Sequence, residues 1–533
     1  MRRPDTHETA NAFAGSSIVD GAHELALRFT QNTSREDRKA KGQFFTPPAI
    51  ARFMAALLGE AEREDVAILD PGAGTGILSA AAVEHLTADP LCSRIHVDAY
   101  ETSVELLPAL HATFEACRAA AGDAGKAMTY AIRAEDFVAA CAHRMSGDLL
   151  RPAEPEAWRP YDFAISNPPY GKLRKGDPRA ILTSRVVSGQ PNIYALFMAV
   201  AANMLLPHGK LAFIVPRSFT SGAYFRAFRR EFLSKVRPLR IHVFESRRRP
   251  FRSQDVLQEN LILAGERLAP GARVSRQPTV TVSNSKGIED LPSATLRVLP
   301  LSSVLHTSGR EHTVSVPASP QDDSAVEFVR RWTDNLGCLG LRVSTGPVVA
   351  FRTTEFHRMR PDRDTVPFLW LQHVLPMRVT WPILGLAKPQ YFEAAADAQS
   401  LLVKAPNIVL LRRFSAKEQP RRLTAAPLLY IARRGVAVEN HLNYITALSD
   451  AMSPEVAAGI AAVLNLSVVD RFFRIWNGNT QVGAAEIREM PFPSLEQIRS
   501  VGREVLAAGD AAHCEAAAAE VLGVPTQLYD ALL

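Results

Sequence analysis

The segment Asn167-Pro168-Pro169-Tyr170 follows the apolar run Tyr161-Asp162-Phe163-Ala164-Ile165-Ser166, and a glycine-rich stretch, Asp70-Pro71-Gly72-Ala73-Gly74-Thr75-Gly76, follows another apolar run upstream. A strand that ends in Asn-Pro-Pro-Tyr presents an amide oxygen and a proline carbonyl, two acceptors that a planar amino group meets in one plane, with an aromatic ring alongside. Proline also fixes φ and stops a strand, so Pro168-Pro169 alone fits a rigid turn as well. The glycine loop shifts the reading toward methyl transfer onto a nitrogen. Glycines between a strand and a helix permit a tight turn and close approach of backbone to a ligand. Gly76 is followed by Ile77-Leu78, not by the Lys-Ser/Thr of a nucleoside-triphosphate loop.

Further candidates fall into the same frame. The next strand-like run ends Asp98-Ala99-Tyr100-Glu101, and Glu101 stands where open α/β sheets hold a ribose through its hydroxyls, a device shared by dinucleotide and S-adenosylmethionine sites. A third run closes with Ala134-Glu135-Asp136-Phe137. Asp136 can accept from an adenine amino group or can cap a helix. Upstream, Thr46 is expected to cap a helix over residues 49–58, with Pro48 in its first turn.

The elements that must position these residues alternate. Strands are expected over 66–70, 95–100, 161–166, 210–215, 239–244 and 257–263, and helices over 76–86, 191–206 and 223–235. Such alternation implies an α/β fold, a doubly wound Rossmann-like sheet with crossover helices. Residues 1–40 are polar and lack periodicity, which reads as a flexible amino-terminal segment. A catalytic domain is expected over 41–316. A mixed α/β domain of short strand-like pieces follows over 317–494, then an alanine-rich helical tail over 495–533.

The 533 residues are 47% hydrophobic, which supports ordinary buried cores, and the formal net charge of +6 suits a polyanionic partner where the charge is clustered. Five scattered cysteines indicate neither a metal site nor a disulfide framework. A reducing cytoplasm fits this usage. No signal-peptide core follows Arg2-Arg3 and no run has the length of a membrane span.

The order Phe44-Phe45-Thr46-Pro47-Pro48, the 70–76 loop, Glu101, Asp136 and Asn167-Pro168-Pro169-Tyr170, followed by a large carboxy-terminal region, resembles the gamma class of DNA adenine-N6 methyltransferases. Residues 412–418 and 478–483 are similar to target-recognition segments of type II modification enzymes of the XhoI and PstI groups. The resemblance implies that Thr46, Asp70 and the Gly72, Gly74 and Gly76 loop hold the methionine part of S-adenosylmethionine, Glu101 its ribose and Asp136 its adenine. It implies double-stranded DNA with a flipped target adenine as partner and a cognate restriction endonuclease acting on the same site. Asn167 and the Pro168 carbonyl would accept both N6 hydrogens, and Tyr170 would stack on the extruded base at about 1–3 kcal/mol per stacked base. Phe251, in a basic loop, resembles the second stacking residue; burial in a core is its alternative. Arg226, Arg229, Arg230, Lys235, Arg237, Arg240, Arg247 to Arg249 and Arg252 are candidates for phosphate contact. Arg342, Arg352, Arg412, Arg413, Arg421, Arg422, Gln372 and His373 are candidates for base edges. A methyltransferase acting on a protein glutamine amide needs the same two acceptors and is the alternative enzyme. A non-catalytic DNA-binding specificity subunit would be expected to lose Asn-Pro-Pro-Tyr.

Overall fold

The computed structural model describes residues 11–13, 15–34, 45–145, 160–174, 176–187, 191–244, 260–271, 278–306, 312–415, 419–449, 451–477, 481–508 and 511–532. The chain divides into two compact units, Met1–Ala318 and Ser319–Leu533.

The first unit is built on β1 (Asp65–Pro71), β2 (Arg94–Tyr100), β3 (Ala127–Arg133), β4 (Tyr161–Ser166), β5 (Leu205–Pro216), β6 (Val236–Phe244), β7 (Asn260–Arg267), β8 (Thr279–Ser285) and β9 (Thr295–Pro300). Their spatial order is β3-β2-β1-β4-β5-β7-β6-β8-β9. Strands β1 to β5 run parallel, and β7 lies antiparallel between β5 and β6. The strand order reverses between β1 and β4, so the loops after these two strands open a crevice at one edge of the sheet. Because successive side chains point to opposite faces, Leu69, Leu211, Phe213 and Val215 enter one core while Ile68, Ala212 and Ile214 enter the other. Both faces are therefore buried, which explains why these strands read as continuous apolar runs.

The helices of this unit include α1 (Ile18–Asn32), α2 (Pro48–Ala56), α3 (Ile77–Thr87), α4 (Leu107–Asp123), α5 (Phe137–Cys141), α6 (Pro178–Leu182), α7 (Ile193–Met204) and α8 (Arg226–Lys235). Helix α1 corrects the expectation of a flexible segment over residues 1–40. Its Val19, Ala22, Leu25 and Ala26 recur at helical spacing and are buried, and Val19 and Ala22 join the core around α2 and α3. Arg52 of α2 ties it down through Asp20 at 2.9 Å, and Ser17 caps its first turn.

In the second unit, helix Pro320–Arg330 begins with a capping box built by Ser319 and Asp322. An antiparallel sheet of Leu341–Thr345, Leu442–Ala447, Ile408–Arg412 and Ala425–Leu428 and a mixed five-stranded sheet follow. The carboxy-terminal helices are Leu495–Ala508, Ala511–Leu522 and Thr526–Leu532. Ile498, Val501, Val505, Ala518 and Leu528 belong to the same core as Pro454–Asn465 and Ser467–Trp476. Among the described residues no single helix is long and apolar enough to cross a membrane.

Candidate active site

The glycine loop joins β1 to α3. Gly72, Gly74 and Gly76 have φ of +79°, +61° and +84°, a region open to glycine without strain. The amides of Gly72 and Ala73 both donate to the Tyr100 carbonyl at 2.9 Å, which ties the loop to the end of β2. Thr75 Oγ1 donates to the Ala22 carbonyl of α1 at 3.0 Å, and Thr113 Oγ1 of α4 donates to the Thr75 carbonyl at 2.7 Å. Two helices thus grip the loop by its one hydroxyl-bearing residue. Phe45 packs edge-on against Phe29 of α1, with ring centroids 5.8 Å apart, and stands over Gly74, where a Cβ would lie 3.6 Å from its ring.

A cavity of about 570 Å³ lies at the strand-order reversal, lined among others by Thr46, Gly72, Gly74, Glu101, Asp136, Asn167 and Tyr170. Residues as far apart in sequence as Thr46 and Tyr170 therefore converge on one space. Glu101 is 9% exposed; Oε2 accepts from the Gly74 amide at 2.9 Å and Oε1 from the Ser103 amide at 2.7 Å. Burial raises its carboxyl above the ordinary range, opposed by those amide hydrogen bonds. Asp136 caps α5, accepting from the Ala139 amide at 2.9 Å through Oδ1, while Oδ2 pairs with Arg179 Nη1 at 3.1 Å. Of its two sequence readings the structure shows the helix cap, and it sets that cap on the cavity wall.

Asn167 follows β4. Its Nδ2 donates to Thr46 Oγ1 at 3.2 Å and its Oδ1 accepts from the Tyr170 hydroxyl at 2.9 Å. The same hydroxyl reaches the Ile214 carbonyl of β5 at 3.1 Å, so the motif is anchored on two neighbouring strands. Burial pushes the Tyr170 phenol far above its ordinary range, and the group stays a neutral donor. The expected helix-capping role of Thr46 gives way here. Pro47 is the N-cap of α2 and no side chain caps it, while Thr46 is buried and takes the Asn167 amide instead.

Three expected residues do not line the cavity. Asp70 is fully buried beneath the loop, where Oδ2 accepts from Ser79 Oγ at 2.6 Å and Oδ1 has no partner. Burial pushes its carboxyl up to about 7. Gly76 packs against Leu110 and Thr113 of α4, and Pro168 is buried and lines none of the space, whereas Pro169 does. Phe251, Arg247 to Arg249 and Arg252 lie outside the described residues.

Sequence reading missed Phe45, Tyr100, Phe137, Phe197 and Arg179 on the cavity wall. Phe137 packs between Tyr100 and Phe197, at centroid distances of 5.1 and 5.3 Å, an apolar flank suited to a flat ring. Several basic candidates also change role. Arg229 is fully buried and donates to the Phe219 and Gly222 carbonyls at 3.0 and 2.7 Å. Arg237 pairs with Glu266, Arg240 lies over the Phe53 ring, and in the second unit Arg422 and His373 are core residues. Arg226, Arg230 and Gln372 are exposed. The two segments read as target-recognition pieces meet: Arg413 Nη2 donates to Gln481 Oε1 at 3.3 Å and the Val482 amide to the Arg413 carbonyl at 2.8 Å.

Residues 134–251 match the family described as Eco57I restriction-modification methylase. The chain is 32% identical over 496 residues to the type II methyltransferase M.PstI of Providencia stuartii, covering 92% of this chain and 93% of that one. It is 30% identical over 481 residues to the type II methyltransferase M.BsuBI of Bacillus subtilis, covering 90% and 93%. Among solved structures, a class I S-adenosylmethionine-dependent methyltransferase of Listeria monocytogenes is similar at 20% identity and a TM-score of 0.39, over 52% of this chain and 74% of that one. With about a third of its residues shared along nearly the whole length of M.PstI, the chain belongs to the type II methyltransferases of restriction-modification systems.

Proposed function

We propose that the protein transfers a methyl group from S-adenosylmethionine to the N6 nitrogen of adenine in a short duplex DNA sequence, in the cytoplasm, and so protects that sequence from a partner restriction endonuclease. The observation that carries the reading is the convergence of Asn167, Tyr170, Thr46, Glu101 and the glycine loop on one cavity. The residues fit the cofactor. Gly72 and Gly74 leave backbone bare toward the space, with Phe197 and Phe45 standing 3.6 Å from where a Cβ would be. Each Glu101 oxygen accepts one amide and, with about four lone-pair sites on a carboxylate, can accept ribose hydroxyls as well. The Tyr100, Phe137 and Phe197 rings and the Asp136 carboxylate suit an adenine ring and its amino group. Bound there, S-adenosylmethionine supplies an electrophilic methyl group on a sulfonium.

The protein's own contribution is orientation. An adenine amino lone pair is delocalised into the ring, and acceptors aimed at both N6 hydrogens turn that lone pair out for attack. Thr46 fixes the amide of Asn167, which leaves its oxygen as the acceptor side. An amide oxygen has two lone pairs, so the bond from Tyr170 is compatible with accepting one N6 hydrogen. The motif assigns the other to the main-chain carbonyl of Pro168, a residue that does not line the cavity here. Neither group holds a proton afterwards; the hydrogen displaced by the new N–C bond leaves to solvent. The target base must leave the stack to reach this depth, and the Tyr170 ring supplies a face for it. The second unit, Ser319–Leu533, is the part we assign to sequence recognition. The test is transfer of labelled methyl to duplex DNA, followed by nucleoside analysis. Label in N6-methyl-2′-deoxyadenosine is expected; label in protein glutamine, or in cytosine, would overturn the reading.

A further inference from the structure

Arg179 lines the cavity and has no part in the proposed cofactor binding or base orientation. It lies in α6, on the excursion that leaves the chain directly after Tyr170. The base of that excursion is closed: the Leu173 amide donates to the Pro191 carbonyl at 3.0 Å, the Ile193 amide to the Gly171 carbonyl at 2.9 Å, and the Gly171 amide to Asn192 Oδ1 at 3.1 Å. The base of the excursion is therefore tied at Gly171, the neighbour of Tyr170. Asp177 caps α6 and also holds the Arg179 guanidinium in a two-bond fork, at 2.9 Å to Nε and 2.8 Å to Nη2. A fork of this kind locks the guanidinium plane. An N–H on Nη1 then meets Asp136 Oδ2 at 3.1 Å. Asp136 is itself held from the other side by the Ala139 amide.

We propose that Arg179 is a positioning residue that ties the segment following Asn-Pro-Pro-Tyr to the adenine end of the cofactor pocket, so that cofactor and target base bind cooperatively. The inference rests on the function proposed above. Asp136 has acceptor capacity for the cofactor's amino group while keeping Arg179. Seating that group fixes the carboxylate on which the excursion docks, and an ordering cost met by one ligand is not met again by the other. Linkage makes the effect reciprocal: the target site tightens cofactor binding by the same factor. Arg179 and Asp136 are 27% and 29% exposed, so solvent screens the pair and the coupling is modest.

The experiment uses the full chain and a duplex carrying its mapped site with 2-aminopurine at the target position. The dissociation constant of S-adenosylmethionine is measured by calorimetry with and without the duplex, and the ratio of the two is the coupling factor. In Arg179→Gln this factor is expected to fall about five-fold with a smaller change in cofactor affinity alone. Arg179→Lys, which keeps charge without the fork, is expected in between. Asp177→Asn releases the fork from its other end and is expected to lower the factor too, which covers the case of a poorly folded Arg179→Gln. A coupling factor in these variants equal to wild type, or a wild-type factor of one, overturns the role of Arg179. A wild type that binds no cofactor, or never extrudes the 2-aminopurine, overturns the proposed function instead.

Discussion

Replacing Asp70 by Asn removes one ionisation from beneath the glycine loop while keeping an oxygen for the Ser79 hydroxyl. Burial raises the Asp70 carboxyl from 3.8 to about 7, so the folded state holds its proton more tightly than the unfolded chain. A carboxyl shifted in this direction contributes stability that is fully present below its unfolded value of 3.8 and is lost as pH rises through about 7. At about 1.36 kcal/mol per pH unit, the whole loss is about 4 kcal/mol, of which about 2.5 kcal/mol falls between about pH 5 and pH 8. Other titrating groups, such as buried His242, are common to wild type and Asp70→Asn and cancel in the difference between them. The stability of Asp70→Asn relative to wild type should therefore climb by about 2.5 kcal/mol across that range. Urea unfolding at four pH values measures it, on the transition that added S-adenosylmethionine shifts, because a ligand stabilises the unit that binds it. A difference that stays constant within about 0.5 kcal/mol would refute the argument, since Asp70 would then have to be ionised in the folded state as it is in the unfolded chain.

Asn167→Ala removes one N6 acceptor and should lower single-turnover methyl transfer about 10² to 10³-fold with cofactor affinity little changed; a wild-type rate would sink the orientation mechanism. Tyr170→Ala should weaken capture of a paired target base more than of a mismatched one, whose extrusion costs less, as read by 2-aminopurine fluorescence. Gly76→Ala places a Cβ 2.9 Å from Leu110 Cδ1 and 3.1 Å from Thr113 Cγ2 at a φ of +84°, so thermal unfolding should show a loss of about 1–3 kcal/mol.

The central sheet was legible because its strands are buried on both faces and read as plain apolar runs, and because the glycine loop and Asn167-Pro168-Pro169-Tyr170 punctuate β1 and β4 at their carboxyl ends. Helix α1 was not legible. Its buried stripe is carried largely by alanine and glycine among polar neighbours, and such a stripe becomes apolar surface only when α2, α3 and α4 meet it. Thr46 obeyed a local capping rule on paper, but a partner 121 residues away claimed its hydroxyl. Arg229 and Arg422 read as surface charge because their compensating groups, the carbonyls of Phe219 and Gly222 in one case and Ser415 with the Phe473 ring in the other, come together only in the fold. Asp70 sits in the motif that holds the cofactor loop, yet the direction of its side chain, into the core toward Ser79, is a property of the turn. Arg179 carried no signal at all, since one arginine in a polar loop looks like any other.

The most direct test of the account is sequencing of genomic DNA from cells expressing the full chain, with detection of modified bases, beside cells expressing Asn167→Ala. The account predicts N6-methyladenine at one short recurring sequence in the first and its loss in the second. Modification of cytosine, no modified base at all, or an unchanged pattern with Asn167→Ala would contradict it.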